Sequence, residues 1–175
     1  YERTLSAALT SLLRPIMDRH LCFFPDNDLA ELSDLWLMQS NGGVAPAQSA
    51  IENPLASTMS GPVAAVIGMN WINRQCGVAN AITFDVGGTS TDVALITEGV
   101  VQKKSVSDIG NFSLKLSSLD VLSIGAGGGS LAFMAQDKRW HVGPESAGAL
   151  PGPVCYARGG VQPTLTDANL VLGRI

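Results

Sequence analysis

The feature that constrains this chain most is a short polar turn at residues 85–92, placed between two hydrophobic runs. The runs at 81–84 and 93–96 have the length and the aliphatic or β-branched content of buried strands. Asp85 follows the first run, Asp92 precedes the second, and glycine and hydroxyl residues fill the space between them. The pattern therefore predicts two strands of a sheet joined by a tight turn with a carboxylate on each side.

The residue types in this turn favour phosphate binding over an ordinary hairpin with a polar tip. Glycine amides approach phosphate oxygens without a Cβ in the way, and hydroxyl groups add hydrogen-bond donors. Carboxylates are hard oxygen ligands that hold Mg²⁺ directly or through water, so Asp85 and Asp92 are predicted as the catalytic, metal-binding pair. The predicted cofactor-binding residues of the turn are Gly87, Gly88, Thr89, Ser90 and Thr91.

A second glycine-rich loop at 125–130 follows another hydrophobic run. It is not a P-loop, because no lysine follows the glycines, and Ser130 stands where a dinucleotide fingerprint has its third glycine. The loop is either simply flexible or needed for a close backbone approach to a ligand or to another strand. Next to the 85–92 turn, it is predicted as a second nucleotide contact, through Gly127, Gly128, Gly129 and Ser130.

Two longer helices are predicted in the first half of the chain. Helical spacing of apolar residues predicts a helix at 4–20, which Pro15 should kink or shorten. An acid three positions after an aspartate predicts a short helix that begins at 28–31. A further helix should be capped by Ser60 and end at Gly77, since these residue types favour the two helix ends.

The rest of the chain is predicted to consist mainly of strands. Further strands are expected at 35–38, 119–124, 131–134 and 139–142, the last two as a hairpin. The run 143–163 is rich in Gly and Pro and cannot hold a long regular element. A last helix at 167–172 should be capped by Thr166. Helices and strands in this order predict an α/β or α+β domain with a mixed sheet.

Composition excludes several classes of protein. The chain is 46% hydrophobic and 15% charged, which is too apolar for a disordered segment. Its net charge is −4 and it has no basic cluster, so binding to nucleic acid is not expected. No apolar run reaches the ~18 residues that span a bilayer, so no membrane partner is expected. The cysteines at positions 22, 76 and 155 form no CxxC pattern and are predicted to be buried thiols in a reducing cytosol.

Other polar residues give weaker signals. Ser146 lacks the preceding glycine of a nucleophile elbow, and His141 is expected to be a polar residue at a strand end. Arg158 could contact phosphate or carboxylate, or be an exposed loop arginine, and these alternatives stay open. Asp167 and Asn169 are interpreted as helix-capping residues.

Taken together, these segments resemble the hydantoinase A/oxoprolinase family, a branch of the actin-like ATPase superfold. The matching runs, in order, are 38–43, 60–62, 84–93, 124–130, 142–149, 151–153 and 164–175. The resemblance implies an α/β fold, namely an actin-like ATPase (ribonuclease H-like) lobe with a mixed sheet and flanking helices. It also implies that residues 1–175 are a single domain, the second lobe of a two-lobed module whose first lobe is absent. The sequence departs from the family pattern at Ala65, Ala157 and 136–138, outside the phosphate turn.

The resemblance also implies a function. Such enzymes are expected to use ATP and Mg²⁺ to open a cyclic amide of the hydantoin or 5-oxoproline type, by phosphorylating the amide oxygen. The implied partners are the first lobe, a hydantoinase B-type subunit and the cyclic amide, in the cytoplasm. Two alternatives stay open: a subunit of an ATP-dependent ketone carboxylase, and a non-catalytic lobe that binds nucleotide or a partner.

Overall fold

The computed structural model describes residues 2–21 and 35–175, which divide into two compact units. Unit 1 comprises Tyr1–Ala81 and Leu95–Val121, and unit 2 comprises Ile82–Ala94 and Leu122–Ile175. The predicted α/β class, with sheets and flanking helices, is confirmed. The prediction of one domain over residues 1–175 stays a prediction, because a division into compact units does not decide whether they fold separately.

The helices of unit 1 are α1 (Glu2–Leu21), α2 (Ala47–Glu52) and α3 (Ser60–Gln75). Helix α1 confirms the helix predicted at 4–20. Pro15 lies inside it and does not shorten it, since the helix continues to Leu21, and the alternative that Pro15 kinks the helix stays a prediction. Helix α1 packs against α2 and against a 3₁₀ turn at Pro54–Ser57, which together bury Leu21, Ala47, Ala50 and Leu55. The predicted short helix at 28–31 lies outside the described residues.

Helix α3 begins within one residue of the predicted position and ends two residues before the predicted Gly77. Ser60 is its first residue rather than its cap, because Met59 occupies the N-cap position. Gly77 follows the helix with φ +70°, a conformation that glycine adopts without the steric cost of a Cβ. The buried face of the helix carries Val63 and Val66, which are 0% and 1% exposed.

Short antiparallel strand pairs complete unit 1. Strands β1 (Trp36–Met38) and β2 (Val44–Pro46) pair around a turn, which confirms the strand predicted at 35–38. Strands β5 (Val100–Val101), β6 (Lys103–Lys104), β7 (Ser107–Ile109), β8 (Phe112–Leu114) and β9 (Ser118–Leu119) follow. β6 pairs with β9 and β7 pairs with β8.

The strands around the predicted phosphate turn are β3 (Ala81–Val86), β4 (Thr91–Thr97) and β10 (Val121–Ile124), in the order β10-β4-β3. The single strand predicted at 119–124 is divided, since β9 ends before Asp120 and β10 begins after it. Inside unit 2, the buried Thr83 hydroxyl bonds both the amide and the carbonyl of Ala94, at 3.1 and 3.2 Å. These bonds join β3 to β4 next to the turn that connects them.

The rest of unit 2 is a hairpin followed by a helix. Strands β11 (Ser130–Met134) and β12 (Trp140–Ser146) form the predicted hairpin, and β12 extends four residues into the glycine- and proline-rich run. Helix α4 (Leu165–Val171) is capped by Thr164, so the prediction of Thr166 as the cap was wrong. Thr164 has Asp167 three residues later, and the two side chains form a reciprocal capping box.

Two further findings concern the cysteines and the membrane. Cys76 and Cys155 are exposed, so the prediction of buried thiols was wrong for both, and Cys22 lies outside the described residues. Cys76 is the C-cap residue of α3, and Cys155 lies in a 3₁₀ turn at Val154–Tyr156. Among residues 2–21 and 35–175, no helix is long and apolar enough to cross a membrane.

Candidate functional site

The turn between β3 and β4 is closed by its own backbone. The amide of Gly87 donates to the carbonyl of Ser90 at 2.8 Å, which brings the two strand ends together. Gly88 and Thr89 lie at the exposed tip, and a Cβ added at Gly88 would meet open space within 4 Å. The turn therefore presents main chain, and almost no side-chain bulk, to its surroundings.

The second glycine loop packs directly on this turn. The amides of Gly128 and Gly129 donate to the carbonyls of Gly87 and Gly88, at 3.0 and 2.6 Å. The hydroxyl of Thr91 donates to the carbonyl of Ala126. The two loops predicted as separate nucleotide contacts are thus joined into one structure, and the close backbone approach expected for the second loop is made to the first.

This contact orients the peptide groups of the turn. In a trans peptide the carbonyl and the N–H point in opposite directions. Because the second loop binds the carbonyls of Gly87 and Gly88, the amides of the following residues, Gly88 and Thr89, point away from it. Within the described residues, the amides of Gly88, Thr89 and Ser90 donate to no protein group. Three consecutive free amides at a fixed turn form the kind of concavity that binds anions.

The second loop is stabilised by hydrogen bonds to Ser130 and Thr166. The Ser130 hydroxyl, fully buried, accepts a hydrogen bond from the Gly127 amide at 2.8 Å. The Gly128 carbonyl accepts from both the amide and the hydroxyl of Thr166, each at 2.8 Å. The amides of Gly127, Gly128 and Gly129 are therefore all engaged within the protein. These residues were predicted to belong to the site, but no sequence pattern indicates that the amides of Gly128 and Gly129 hold the turn.

A cavity of about 390 Å³ opens beside the two loops. Its lining includes Gly87, Gly88, Gly128, Gly129, Tyr156 and Thr166, and it contains no charged side chain. Pockets of roughly 300–1,000 Å³ are the usual size for small-molecule ligands. The cavity therefore has room for a ligand next to Gly88, one of the three residues whose amides are free.

The two predicted carboxylates differ in their surroundings. Asp85, near the end of β3, is exposed. The Oδ1 atom of Asp92 is buried and has no hydrogen-bond partner. A buried carboxylate oxygen without a hydrogen-bond partner is costly, so this oxygen fits the role of a ligand to a cation or to a water bound to one. The described residues contain no cluster of three or more metal-binding side chains.

Asp167 forms a network that sequence reasoning described only as capping. Its carboxylate accepts hydrogen bonds from the amides of Cys155, Thr164 and Val154, at 2.7, 2.8 and 3.2 Å, and from the Thr164 hydroxyl at 2.8 Å. Desolvation acts to raise the pKa of Asp167, but the hydrogen bonds from Cys155 and Thr164 outweigh it and hold the pKa well below its usual range. The same carboxylate, bonded to the thiol, raises the pKa of Cys155.

The remaining candidates do not form a catalytic arrangement among the described residues. His141 stacks on Phe133 with ring centroids 5.7 Å apart and lies 3.8 Å from the carboxylate of Asp137. The Ser146 hydroxyl accepts a hydrogen bond from the Gly148 amide at 3.1 Å, which is a turn contact. Nothing in these contacts pairs the serine with the histidine as nucleophile and base.

Comparison with known proteins supplies the family. The sequence profile described as "Hydantoinase/oxoprolinase" matches residues 3–175. The chain belongs to the hydantoinase/oxoprolinase family. This match confirms the family resemblance drawn from the motifs and covers the turn, the second loop and the cavity.

Relatives within this family include enzymes of more than one kind. The crystal structure of an ATP-dependent caprolactamase from Pseudomonas jessenii matches with 37% identity and a TM-score of 0.75, over 100% of this chain and 26% of that one. 5-Oxoprolinase 1 of Arabidopsis thaliana is 39% identical over 98% of this chain and 13% of its own length. The acetophenone carboxylase gamma subunit of Aromatoleum aromaticum is 37% identical over 100% of this chain and 24% of its own. The chain thus spans about a quarter or less of these relatives.

Proposed function

We propose that this chain is the nucleotide-binding part of an ATP-dependent hydrolase that opens a cyclic amide by phosphorylating the amide oxygen. The observation that carries the proposal is the set of free amides at Gly88, Thr89 and Ser90, fixed by the second loop and close in sequence to the unpartnered Oδ1 of Asp92. Relatives named as a caprolactamase and a 5-oxoprolinase support an amide-opening reaction.

The chemistry explains why such an enzyme needs a phosphate site. ATP would transfer its γ-phosphoryl group to the amide oxygen and leave as ADP, which makes the ring carbon more electrophilic. Water would then add to that carbon, and the C–N bond of the ring would break as the nitrogen takes a proton. A second water would hydrolyse the resulting acyl phosphate to a carboxylate and inorganic phosphate. Catalysis of phosphoryl transfer depends mainly on positioning and on neutralising negative charge. Backbone amides that are already oriented provide both without rearrangement during the reaction.

Each part of the site has a role in this proposal. The amides of Gly88, Thr89 and Ser90 bind phosphate oxygens, and Asp92 with Asp85 holds Mg²⁺ or its water ligands. The residues Gly127 to Ser130 border the nucleotide through their backbone surface, because their amides are already engaged: those of Gly128 and Gly129 bind the turn, and those of Gly127 and Ser130 bind within the second loop. In this arrangement the second loop contributes mainly by keeping the first one in place.

The whole protein is proposed to contain more than this chain. The relatives are about four to eight times longer, and one of them is named as the gamma subunit of its enzyme. We therefore propose that a first lobe completes the ATP site and that a hydantoinase B-type subunit assembles with the protein. The proposed location is the cytoplasm, where ATP and Mg²⁺ are available.

The test uses the full-length protein with Asp92→Asn and Asp85→Asn, and Asp137→Asn as a matched control. Asp137 is an exposed carboxylate of the same unit that makes surface ion pairs and accepts one hydrogen bond from the Arg139 amide in its own turn, which an asparagine oxygen can also accept, so the change should have little effect. We expect both site variants to lose Mg²⁺-dependent ATP turnover on a cyclic amide, with thermal unfolding unchanged by more than a few degrees. Full turnover in both variants would refute the metal assignment.

A ketone carboxylase subunit is the second candidate, favoured by the 37% identity to the acetophenone carboxylase gamma subunit. Both reactions place phosphate on an oxygen atom, so the site described above serves either. ATP consumption that requires bicarbonate and a ketone would favour the carboxylase. ATP consumption with a cyclic amide alone would favour the hydrolase.

A further inference from the structure

The cavity beside the glycine loops has one aromatic side chain in its lining, that of Tyr156. The rest of the lining consists mainly of glycines, with small aliphatic residues and one hydroxyl, and none of it is charged. Tyr156 is 52% exposed, so part of its surface is free to contact a ligand. Within this lining, Tyr156 is the residue able to offer a large flat apolar surface.

The local backbone fixes the position of this tyrosine. Tyr156 ends a 3₁₀ turn at Val154–Tyr156, and its amide donates to the carbonyl of Pro153 at 3.1 Å. The ring lies close to Gly152, where an added Cβ would be 3.4 Å from the ring atom Cδ2. The guanidinium of Arg158 lies 5.9 Å from the ring centroid, within the range of a cation–π contact. The ring is therefore supported by its neighbours.

Asp167 ties this turn to the glycine loops. Its carboxylate binds the amides of Val154 and Cys155, the first two residues of the 3₁₀ turn. The preceding residue in α4, Thr166, binds the Gly128 carbonyl through its amide and hydroxyl. The first turn of α4 thus holds the tyrosine turn with one residue and the second glycine loop with the next, so the two sides of the cavity are fixed to one element.

We propose that Tyr156 is the residue on which the base of the bound nucleotide stacks, and that Asp167 is the positioning residue that holds it there. The inference rests on the proposed function. In this arrangement two kinds of group bind the nucleotide. The free amides of Gly88, Thr89 and Ser90 bind the phosphates, and the ring of Tyr156 stacks on the base. Stacking needs only a π-face, so this contact would tolerate different bases.

The test compares two ligands in the full-length protein by calorimetry: Mg²⁺ with a non-hydrolysable ATP analogue, and Mg²⁺ with tripolyphosphate, which has no base. Loss of a base–aromatic stack should make Tyr156→Ala bind the analogue roughly 5- to 150-fold more weakly. The same variant should leave tripolyphosphate binding unchanged. Tyr156→Phe keeps the ring and should keep the affinity for both ligands.

Asp167→Asn tests the positioning role. This variant should bind the ATP analogue more weakly and bind tripolyphosphate as the parent protein does. The double variant with Tyr156→Ala should lose no further affinity for the analogue, because both changes remove the same contact. A fully additive double variant would overturn the assignment of Asp167, and circular dichroism of each variant separates this result from misfolding.

The failures of the two proposals differ. If the parent protein binds the analogue and Tyr156→Ala binds it equally well, the stacking assignment is overturned and the phosphate site stands. If Tyr156→Ala weakens both ligands equally, the tyrosine acts on the phosphate site and the base contact is also overturned. If the parent protein binds neither ligand, the proposed function fails, and this inference fails with it.

Discussion

Replacing Gly127 by alanine tests the contact between the two loops most directly. A Cβ at this position would lie 2.7 Å from the Gly87 carbonyl oxygen and 2.8 Å from the carbonyl carbons of Gly88 and Thr89. All three neighbours are backbone atoms, which cannot rotate away. Ordinary contact begins at 3.4 Å, so one loop must move by roughly 0.7 Å relative to the other.

That displacement has a calculable cost. Forcing one extra methyl group into a packed site costs typically ~1–3 kcal/mol. The movement also lengthens the bonds from Gly128 to Gly87 and from Gly129 to Gly88, each worth about 0.5–1.5 kcal/mol. We expect Gly127→Ala to lower the free energy of unfolding by about 2–4 kcal/mol. In a domain of this size that corresponds to roughly 5–15 °C in the unfolding midpoint.

The control is Gly88→Ala in the opposing turn, where an added Cβ meets open space. This variant should unfold within about 2 °C of the parent protein. It should nevertheless bind the ATP analogue more weakly, because the new methyl group lies at the exposed tip that carries the free amides. Differential scanning fluorimetry and calorimetry measure the two effects. Equal unfolding midpoints for Gly127→Ala and Gly88→Ala would refute the packing argument.

Three other predictions concern helix α3, a cysteine and acid stability. Gly68→Ala should raise the free energy of unfolding by ~0.5–1 kcal/mol, because Gly68 lies inside α3 with open space around it. Gly77→Ala should lower that free energy by ~1–2 kcal/mol, because Gly77 has φ +70°. Unfolding midpoints that shift in the same direction for both variants would contradict this. Because the Asp167 carboxylate raises the pKa of Cys155, iodoacetamide followed by mass spectrometry should label Cys155 more slowly than Cys76, and Asp167→Asn should speed up the Cys155 reaction. The lowered pKa of Asp167 contributes stability that is present above the unfolded-state pKa of about 3.9 and is lost as the pH falls below that value. The free energy of unfolding of Asp167→Asn should therefore fall less than that of the parent protein between neutral and acidic pH. Equal losses in the two proteins would count against the hydrogen-bond network.

Local patterns were enough to locate the main elements of the site. The strands on either side of the turn follow from two hydrophobic runs, and the turn follows from glycines between two carboxylates. Where two local signals competed, at the N-terminus of α4, the predicted cap was wrong. Thr164 and Thr166 are both good caps, and the acid that decides between them, Asp167, stands three residues after Thr164.

The arrangement of the site could not be read from such patterns. The glycines of the second loop signalled a close approach, but the partner lies about 40 residues earlier in the chain, at Gly87 and Gly88. Which amides are engaged and which are free depends on that tertiary contact. For the same reason Ser130 looked like a ligand donor in the sequence, whereas its buried hydroxyl holds the Gly127 amide.

A phosphate site formed by main-chain peptide groups is difficult to detect by alanine scanning, because the groups that bind are not side chains. Truncating side chains one at a time would pass over Gly88, and truncating Thr89 or Ser90 would leave in place the main-chain N–H that does the binding. Such a scan would report a tolerant turn and point instead to Asp92 and Tyr156. The turn would become visible only to changes that act on the main chain itself, such as a methyl group added at a glycine or a single residue inserted between β3 and β4.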